Sequence, residues 1–200
     1  MSVTPKHNTT SDRALDLINS GEPLNDMFIS GELNLTGHDN FDKALSADNC
    51  IFEHLKGISS SYLKTFKFTN CEFKNCEFLF SYFLGGLVID NCIFDSYLDF
   101  QAGGHNKNGN AVSITNSTFK NFVNFFDCWY ESELIIRNNN FQKGTNLLGK
   151  PNGISVTFDI NPMIENNRGQ LDIGGEGDLK INTINLQGKY YSDNNRFKHL

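Results

Sequence analysis

Cys50, Cys71 and Cys92 stand 21 residues apart, each directly after an asparagine. Thiols at a regular interval could ligate a metal or join successive segments as disulfides. A metal centre needs further N, S or O ligands converging on one point, and no second ligand type recurs beside these cysteines. The five histidines, at 7, 38, 54, 105 and 199, show no ligand spacing, and the sequence holds no Gly-x-Ser-x-Gly, His-Glu-x-x-His or phosphate-binding glycine loop. The expectation is a chain with no catalytic residue, no metal and no cofactor, and so not an enzyme. The thiols are read instead as small side chains packed at a cramped bend, since free Cys is among the most buried residue types.

The bend follows from the segments that carry these cysteines. The pattern apolar-x-apolar-x-Asn-x-x-Phe occurs as LSADNCIF (45–52), FKFTNCEF (66–73), LVIDNCIF (87–94), VSITNSTF (112–119) and LIIRNNNF (134–141). Its asparagines are Asn49, Asn70, Asn91, Asn116 and Asn138, preceded by a partial copy with Asn25 and Phe28. Later copies are weaker: VTFDINPMI (156–164) with Asn161 at the corner and Ile164 in place of Phe, LKINTIN (179–185), and YYSDNNRF (190–197) with Asn194 and Phe197. A step near 21 is too short for a strand–helix–strand unit of about 30 residues. It suits one coil of a solenoid that lays each strand on the one before, about 4.8 Å away, so that about eight coils make a rod roughly 40 Å long. Asparagine suits the corner because it tolerates the left-handed conformation, and its carboxamide can bond to those above and below. Three inward columns are predicted, headed by Leu45, Ala47 and Phe52, with Cys50, Cys71, Cys92, Ser117 and Asn139 inward at the bend.

These features resemble the right-handed parallel β-helix proteins, the pectate-lyase-like solenoids with asparagine ladders, over residues 25–141. The stretch FTNCEFKNCEFLFSYF (68–83), with Phe at every fifth position and a small residue two before it, resembles one four-sided coil of a pentapeptide-repeat protein. Gly85 and Gly86 follow and could host the extra residue that makes 21 from 20. The predicted fold is an all-β, single-stranded, right-handed parallel β-helix over residues 24–200, regular to about 141. An N-terminal arm and short capping helix (1–23) precede it, with Ser11 as N-cap and Gly21 and Pro23 as the stop. The helix would lid the first coil, whose open edge would otherwise recruit another chain. No such lid is visible at the C-terminal end, which is read as a site of self-association.

A formal charge of −6 argues against direct nucleic-acid binding. No run of about 20 apolar residues suggests a membrane span, and no leader is visible, so a cytoplasmic protein with free thiols is expected. β-Helix enzymes acting on acidic polysaccharides imply clustered Asp. Here the outward residues before each Asn run Asp48, Thr69, Asp90, Thr115, Arg137, leaving carboxylates about 10 Å apart. DIGGEGD (172–178) is similar to a calcium-binding glycine-rich nonapeptide but lacks one spacer and does not recur. The pentapeptide resemblance implies a second class, an acidic DNA mimic that inhibits a nucleic-acid enzyme. Against it, the outward series Glu53, Lys74, Asp95, Lys120, Gln142 alternates in sign. The first reading is a binding scaffold for a protein partner. Its candidate residues are a strip of outward apolar side chains, Ile51, Val88, Ile93 and Ile135, and His105 and Lys107 in the long segment 101–110. A second long segment spans 142–153.

Overall fold

A computed structural model of the chain describes residues 3–174. Within them the backbone winds into about six stacked turns of about 22 residues, all strand pairings being parallel. The fold is a β-solenoid. The weaker repeat copies at 179–185 and 190–197, most of the 172–178 glycine-rich stretch and the C-terminal end read as a self-association site lie outside the described residues. No helix among the described residues is long and apolar enough to cross a membrane.

Every regular coil has four walls. The first holds Leu24–Asn25, Leu45–Asp48, Phe66–Thr69, Leu87–Asp90, Val112–Thr115, Leu134–Arg137 and Met163–Glu165, paired rung on rung. The second begins with Met27–Asn34 and Ile51–Lys56 and continues through Glu72–Phe73, Ile93–Phe94, Thr118–Phe119 and Asn140–Phe141. The third runs from Leu55 through Cys76–Glu77, Leu98–Asp99 and Val123–Asn124 to Thr145. The fourth is the bridge series Ser61, Tyr82, Gly104, Trp129, with Trp129–Tyr130 pairing onto Thr157–Phe158. Four-sidedness is therefore general, not a property of residues 68–83 alone.

All three columns expected inside are buried. The second-wall rings Phe52, Phe73, Phe94, Phe119 and Phe141 form one continuous stack, with centroid spacings of 4.9, 4.5, 4.9 and 4.9 Å and interplanar angles of 13° or less. Each such pair adds roughly 0.5–1.5 kcal/mol beyond the apolar area it removes from water. A second stack, Phe78, Phe100 and Phe125, fills the third wall.

Asn49, Asn70, Asn91, Asn116 and Asn138 stand in file at the corner from first to second wall, all with φ between 51° and 58°. Two predicted corners move. The first is Asp26 (φ 56°), not Asn25, which lies in the strand beside Asp48. The last is Asn166 (φ 54°), not Asn161, because Ile164 pairs with Ile136 inside the first wall instead of replacing a Phe. The coil between Asn138 and Asn166 is thus 28 residues long, and its extra length hides the register. Nor is the ladder purely carboxamide. Asn91 donates to Asn70 at 2.7 Å and Asn138 to Asn116 at 3.2 Å, but Asn49, Asn70 and Asn116 donate to the carboxylates of Asp26, Asp48 and Asp90 at 2.6, 2.8 and 2.7 Å.

The inward corner residues do more than fill space. The N–H groups of Cys71, Cys92, Ser117 and Asn139 have no rung partner at the bend. They donate to the side chains of Cys92, Ser117, Asn139 and Asn167 of the next coil. Several of these side chains also donate back: Cys92 Sγ to Phe68 O (3.5 Å), Asn139 Nδ2 to Ile114 O (2.8 Å) and Asn167 Nδ2 to Ile136 O (2.8 Å). A short side chain able both to accept and to donate is required, which is why Cys, Ser and Asn share the column. Cys92→Ala is expected to cost about 1–2 kcal/mol, because the buried Cys71 N–H loses its acceptor. Cys92→Ser should cost distinctly less. Urea unfolding of the pair checks this, and equal losses would show that only volume matters at the site.

The capping helix α1 spans Ser11–Ser20. Its N-cap is Thr10, whose side chain accepts from the Arg13 N–H at 3.3 Å; the predicted cap, Ser11, is the first helical residue. Gly21 ends it in the left-handed conformation (φ 79°). Ala14, Leu17 and Ile18 are buried against the first coil. The arm before it adds a strand not anticipated from sequence, His7–Thr10, parallel to Met27–Ser30.

Candidate partner-binding faces

The predicted apolar strip is divided. On the first wall the outward file reads Lys67, Val88, Ser113, Ile135, Met163, so a serine separates Val88 from Ile135. On the second it reads Phe28, Ile51, Glu72, Ile93, Thr118, with a glutamate between Ile51 and Ile93. All four strip residues are half-buried. The same wall carries the alternating charges, and these are paired: Lys74 Nζ and Lys120 Nζ reach Asp95 at 2.9 and 2.7 Å. Burial pushes the Asp95 carboxyl up, but the two lysine contacts outweigh it and hold its pKa below the usual carboxylate range. Asp48 and Asp90, facing out from the first wall, are engaged by the corner ladder. Among the described residues no group of three His, Cys, Asp or Glu side chains is placed to hold a metal.

His105 and Lys107 diverge. The segment 101–110 is stitched into the solenoid: Gly104 bridges Tyr82 and Trp129, and buried Asn106 donates to Asn110 O and Glu133 O at 2.9 and 3.0 Å. Lys107 is exposed. His105, left-handed at φ 48°, joins a cluster on the fourth wall. Its ring lies 4.5 Å from Tyr82 and 5.4 Å from Trp129 between centroids, and its Nδ1 is 3.1 Å from Glu131 Oε2. Trp129 is 43% exposed, and its indole N–H donates to Asp159 Oδ1 at 2.9 Å. The polar edge of this tryptophan is thus satisfied from within, and the part left to solvent is the apolar ring.

The exposed large apolar side chains among the described residues are Phe80, Trp129, Ile154, Ile160 and Met163; Trp129 stands on the fourth wall, and Ile154 and Ile160 flank in sequence the strand Thr157–Phe158 that pairs with Trp129–Tyr130. Phe80 marks a second left-handed corner, between the third and fourth walls, made by Gly37, Ser59, Phe80, Ala102 and Asp127. Sequence inspection misses this column because its side chains share no chemistry. The buried column beside it repeats the first corner's device: Ser60 Oγ donates to Leu35 O at 2.8 Å, Ser81 to Gly57 O, and Cys128 Sγ to Phe100 O at 2.9 Å. At φ 55° and 45% exposed, Phe80 carries a strained backbone and an aromatic ring in water. Phe80→Asn is expected to raise the unfolding free energy by about 1 kcal/mol, read as an increased urea midpoint at unchanged m; a lower midpoint would mean the ring packs usefully.

The third wall carries a shallow groove of about 330 Å³. Tyr97, Phe122 and Phe126 flank it, with Pro151 and Asn152 from the 142–153 segment at one end. Gln101, Asn124 and Asn146 supply its polar surface. Asn124 and Asn146 are buried and linked: Asn146 Nδ2 donates to Asn124 Oδ1 at 2.7 Å, and Asn124 Nδ2 donates to Asp99 Oδ1 at 3.0 Å and Gln101 Oε1 at 3.3 Å. The triplets Leu98-Asp99-Phe100, Val123-Asn124-Phe125 and Thr145-Asn146-Leu147 carry this ladder and were its only trace in the sequence.

All five cysteines are free and buried. Burial pushes the Cys76 thiol well above its ordinary value and the Cys128 thiol up to about 12. Reaction with a thiolate-selective reagent is expected to label none of the five in the native protein and all five in denaturant. Rapid native labelling of even one would place it at the surface. No protein-family model matches the chain, and neither a curated protein nor a solved structure matches it significantly, so neither resemblance is supported at the level of family and the β-solenoid rests on its own geometry.

Proposed function

We propose that the chain is a non-enzymatic scaffold that binds a protein partner through its fourth wall and the corners bounding it. The observation that supports this reading is the exposed Trp129 ring on the fourth wall, packed beside His105 and Tyr82 and with its indole N–H already engaged, and the exposed Phe80 at the corner leading into that wall. Exposed aromatic rings are among the residues that dominate protein interfaces. By contrast, the strip of Ile51, Val88, Ile93 and Ile135 is interrupted by Glu72 and Ser113. The reading as an acidic DNA mimic loses support on the second wall, where Asp95 sits between two lysines. Carbohydrate binding or cleavage has no carboxylate cluster to favour it among the described residues.

Affinity capture from source cells with two double variants tests the assignment. Trp129→Ala with Phe80→Asn is expected to abolish recovery of the partner, while Val88→Lys with Ile93→Lys leaves it intact. The reverse outcome would move the site to the first and second walls, and full recovery with both would reject a lateral binding face.

A further inference from the structure

We infer that Asn108 is a site of spontaneous covalent modification, converting to aspartate and isoaspartate through a cyclic imide closed by the Gly109 nitrogen. The inference stands apart from the fourth-wall reading. It rests on how the fold treats the chain's two Asn-Gly pairs, Asn108-Gly109 and Asn152-Gly153.

The dipeptide fixes the chemistry. The glycine backbone nitrogen attacks the side-chain carbonyl carbon of the asparagine and forms a new N–C bond. The amide nitrogen leaves as ammonia, taking the proton that the backbone nitrogen gives up. Water then opens the five-membered imide at one carbonyl or the other, giving aspartate or isoaspartate. Glycine is the favourable partner because no Cβ hinders the approach. Closure also needs an unengaged asparagine side chain, a weakly held glycine N–H and a turn that opens at small cost.

Asn108 meets all three conditions. It is exposed, and its side chain makes no hydrogen bond among the described residues. It holds the second position of the turn 107–110, in which the Asn110 N–H donates to Lys107 O at 2.8 Å and Gly109 has the positive φ, 82°, of a type II turn. The Gly109 N–H donates to Ser132 Oγ at 3.3 Å, beyond the usual range for a good hydrogen bond. Nothing lies within 4 Å of a Cβ placed on Gly109, so the ring has room to close. The turn is also anchored on both sides: Asn106 Nδ2 donates to Asn110 O and Glu133 O, and Asn110 Nδ2 donates to Leu84 O at 2.8 Å. The two residues between them rearrange without unzipping the coil.

Asn152 is exposed as well, and space is open around Gly153. Its turn, however, is closed twice: the Gly153 N–H donates to Lys150 O and the Ile154 N–H to Pro151 O, each at 3.0 Å. Pro151 is buried and fixed in φ. The attacking nitrogen is committed to a backbone bond that has to break first. At Asn108 the product adds a negative charge and, as isoaspartate, a methylene in the main chain. It does so at a turn held against Ser132, which stands between Glu131 and Glu133.

The test ages the full chain at mildly alkaline pH, native and in denaturant, and maps its peptides by fragmentation that distinguishes isoaspartate from aspartate. In the native protein the products should accumulate at Asn108 at least about fivefold faster than at Asn152, the factor that one further backbone hydrogen bond to be broken implies. In denaturant the two rates should converge. Equal native rates, or faster conversion at Asn152, overturn the inference. So does a bias toward Asn108 that persists in denaturant, because local sequence and not the turn would then set it. Asn108→Gln should remove the products at that position and leave the urea midpoint unchanged; a lowered midpoint would show that the fold holds this side chain, against the inference.

Discussion

Phe94→Ala is expected to lower the unfolding free energy by about 3–5 kcal/mol, a large part of the about 5–15 kcal/mol that holds a typical domain folded. Phe94 is 1% exposed and lies midway in the second-wall stack, 4.5 Å from Phe73 and 4.9 Å from Phe119. Its removal leaves a gap that neither neighbour can close, because each ring is tied to its own rung and the rungs are fixed at the backbone spacing. Phe119 and Phe73 would each lose one stacking face as well. The measurement is the urea midpoint with the slope of the transition. A loss below about 1 kcal/mol would mean that the stack is ornamental and that the corner ladders hold the coils in place.

Gly104→Ala is expected to cost about 3 kcal/mol and to disturb the proposed binding face with it. A Cβ there would stand 2.3 Å from Trp129 O, a backbone atom that cannot swing aside, on a residue already at φ 99°. Gly109→Ala is the control. Its φ of 82° imposes a comparable conformational penalty, but nothing lies within 4 Å of the added Cβ, so it should cost only about 1 kcal/mol. Trp129 is the chain's single tryptophan, and its fluorescence therefore reports on the face directly. The emission maximum should move in Gly104→Ala and stay in place in Gly109→Ala. Similar stability for the two variants would show that the coil carrying Trp129 can yield.

The stacking period and the second-wall core were legible because each column repeats one residue type: Asn49, Asn70 and Asn91 at the corner, Phe73, Phe94 and Phe119 within. The opposite corner was not, since Ser59, Phe80, Ala102 and Asp127 occupy the same backbone conformation with nothing chemical in common. There the geometry is imposed by the rungs on either side and not by the residue's own preference. The four-sided pattern was read for only one coil for a similar reason. In coils beyond Gly86 an additional residue enters between the second and third walls, so that Cys92 is followed six residues later by Leu98, and Ser117 by Val123, where Cys71 and Cys76 are five apart. The phase of five breaks while the walls persist. Gly85 and Gly86 are required where they stand for a different reason: a Cβ on Gly85 would lie 2.4 Å from the Lys64 backbone, and Gly86 has φ 90°.

Surfaces were less legible than the core. Reading outward positions one strand at a time found Ile51, Val88, Ile93 and Ile135, but contiguity depends on what stands on the neighbouring rung, and Glu72 and Ser113 stand there. His105 stands out in sequence only for lying in a long segment, and it reaches a cluster through Tyr82, Trp129 and Glu131, residues up to 26 positions away. Trp129 and Phe80, both exposed, carry no motif. Only the coil geometry brings them to one side.

Each coil adds one rung in register, and pairwise spin-label distances from Ser46 test this most directly. Ser46, Ser113, Ile135 and Met163 share the outward file of the first wall, three, four and five rungs apart. Labels at Ser46 with each of the others in turn should give narrow distributions centred near 14, 19 and 24 Å, rising by about 4.8 Å per rung. Distances that fail to rise along the series, or broad distributions centred beyond about 30 Å, would contradict the stacked coil and with it the faces proposed here.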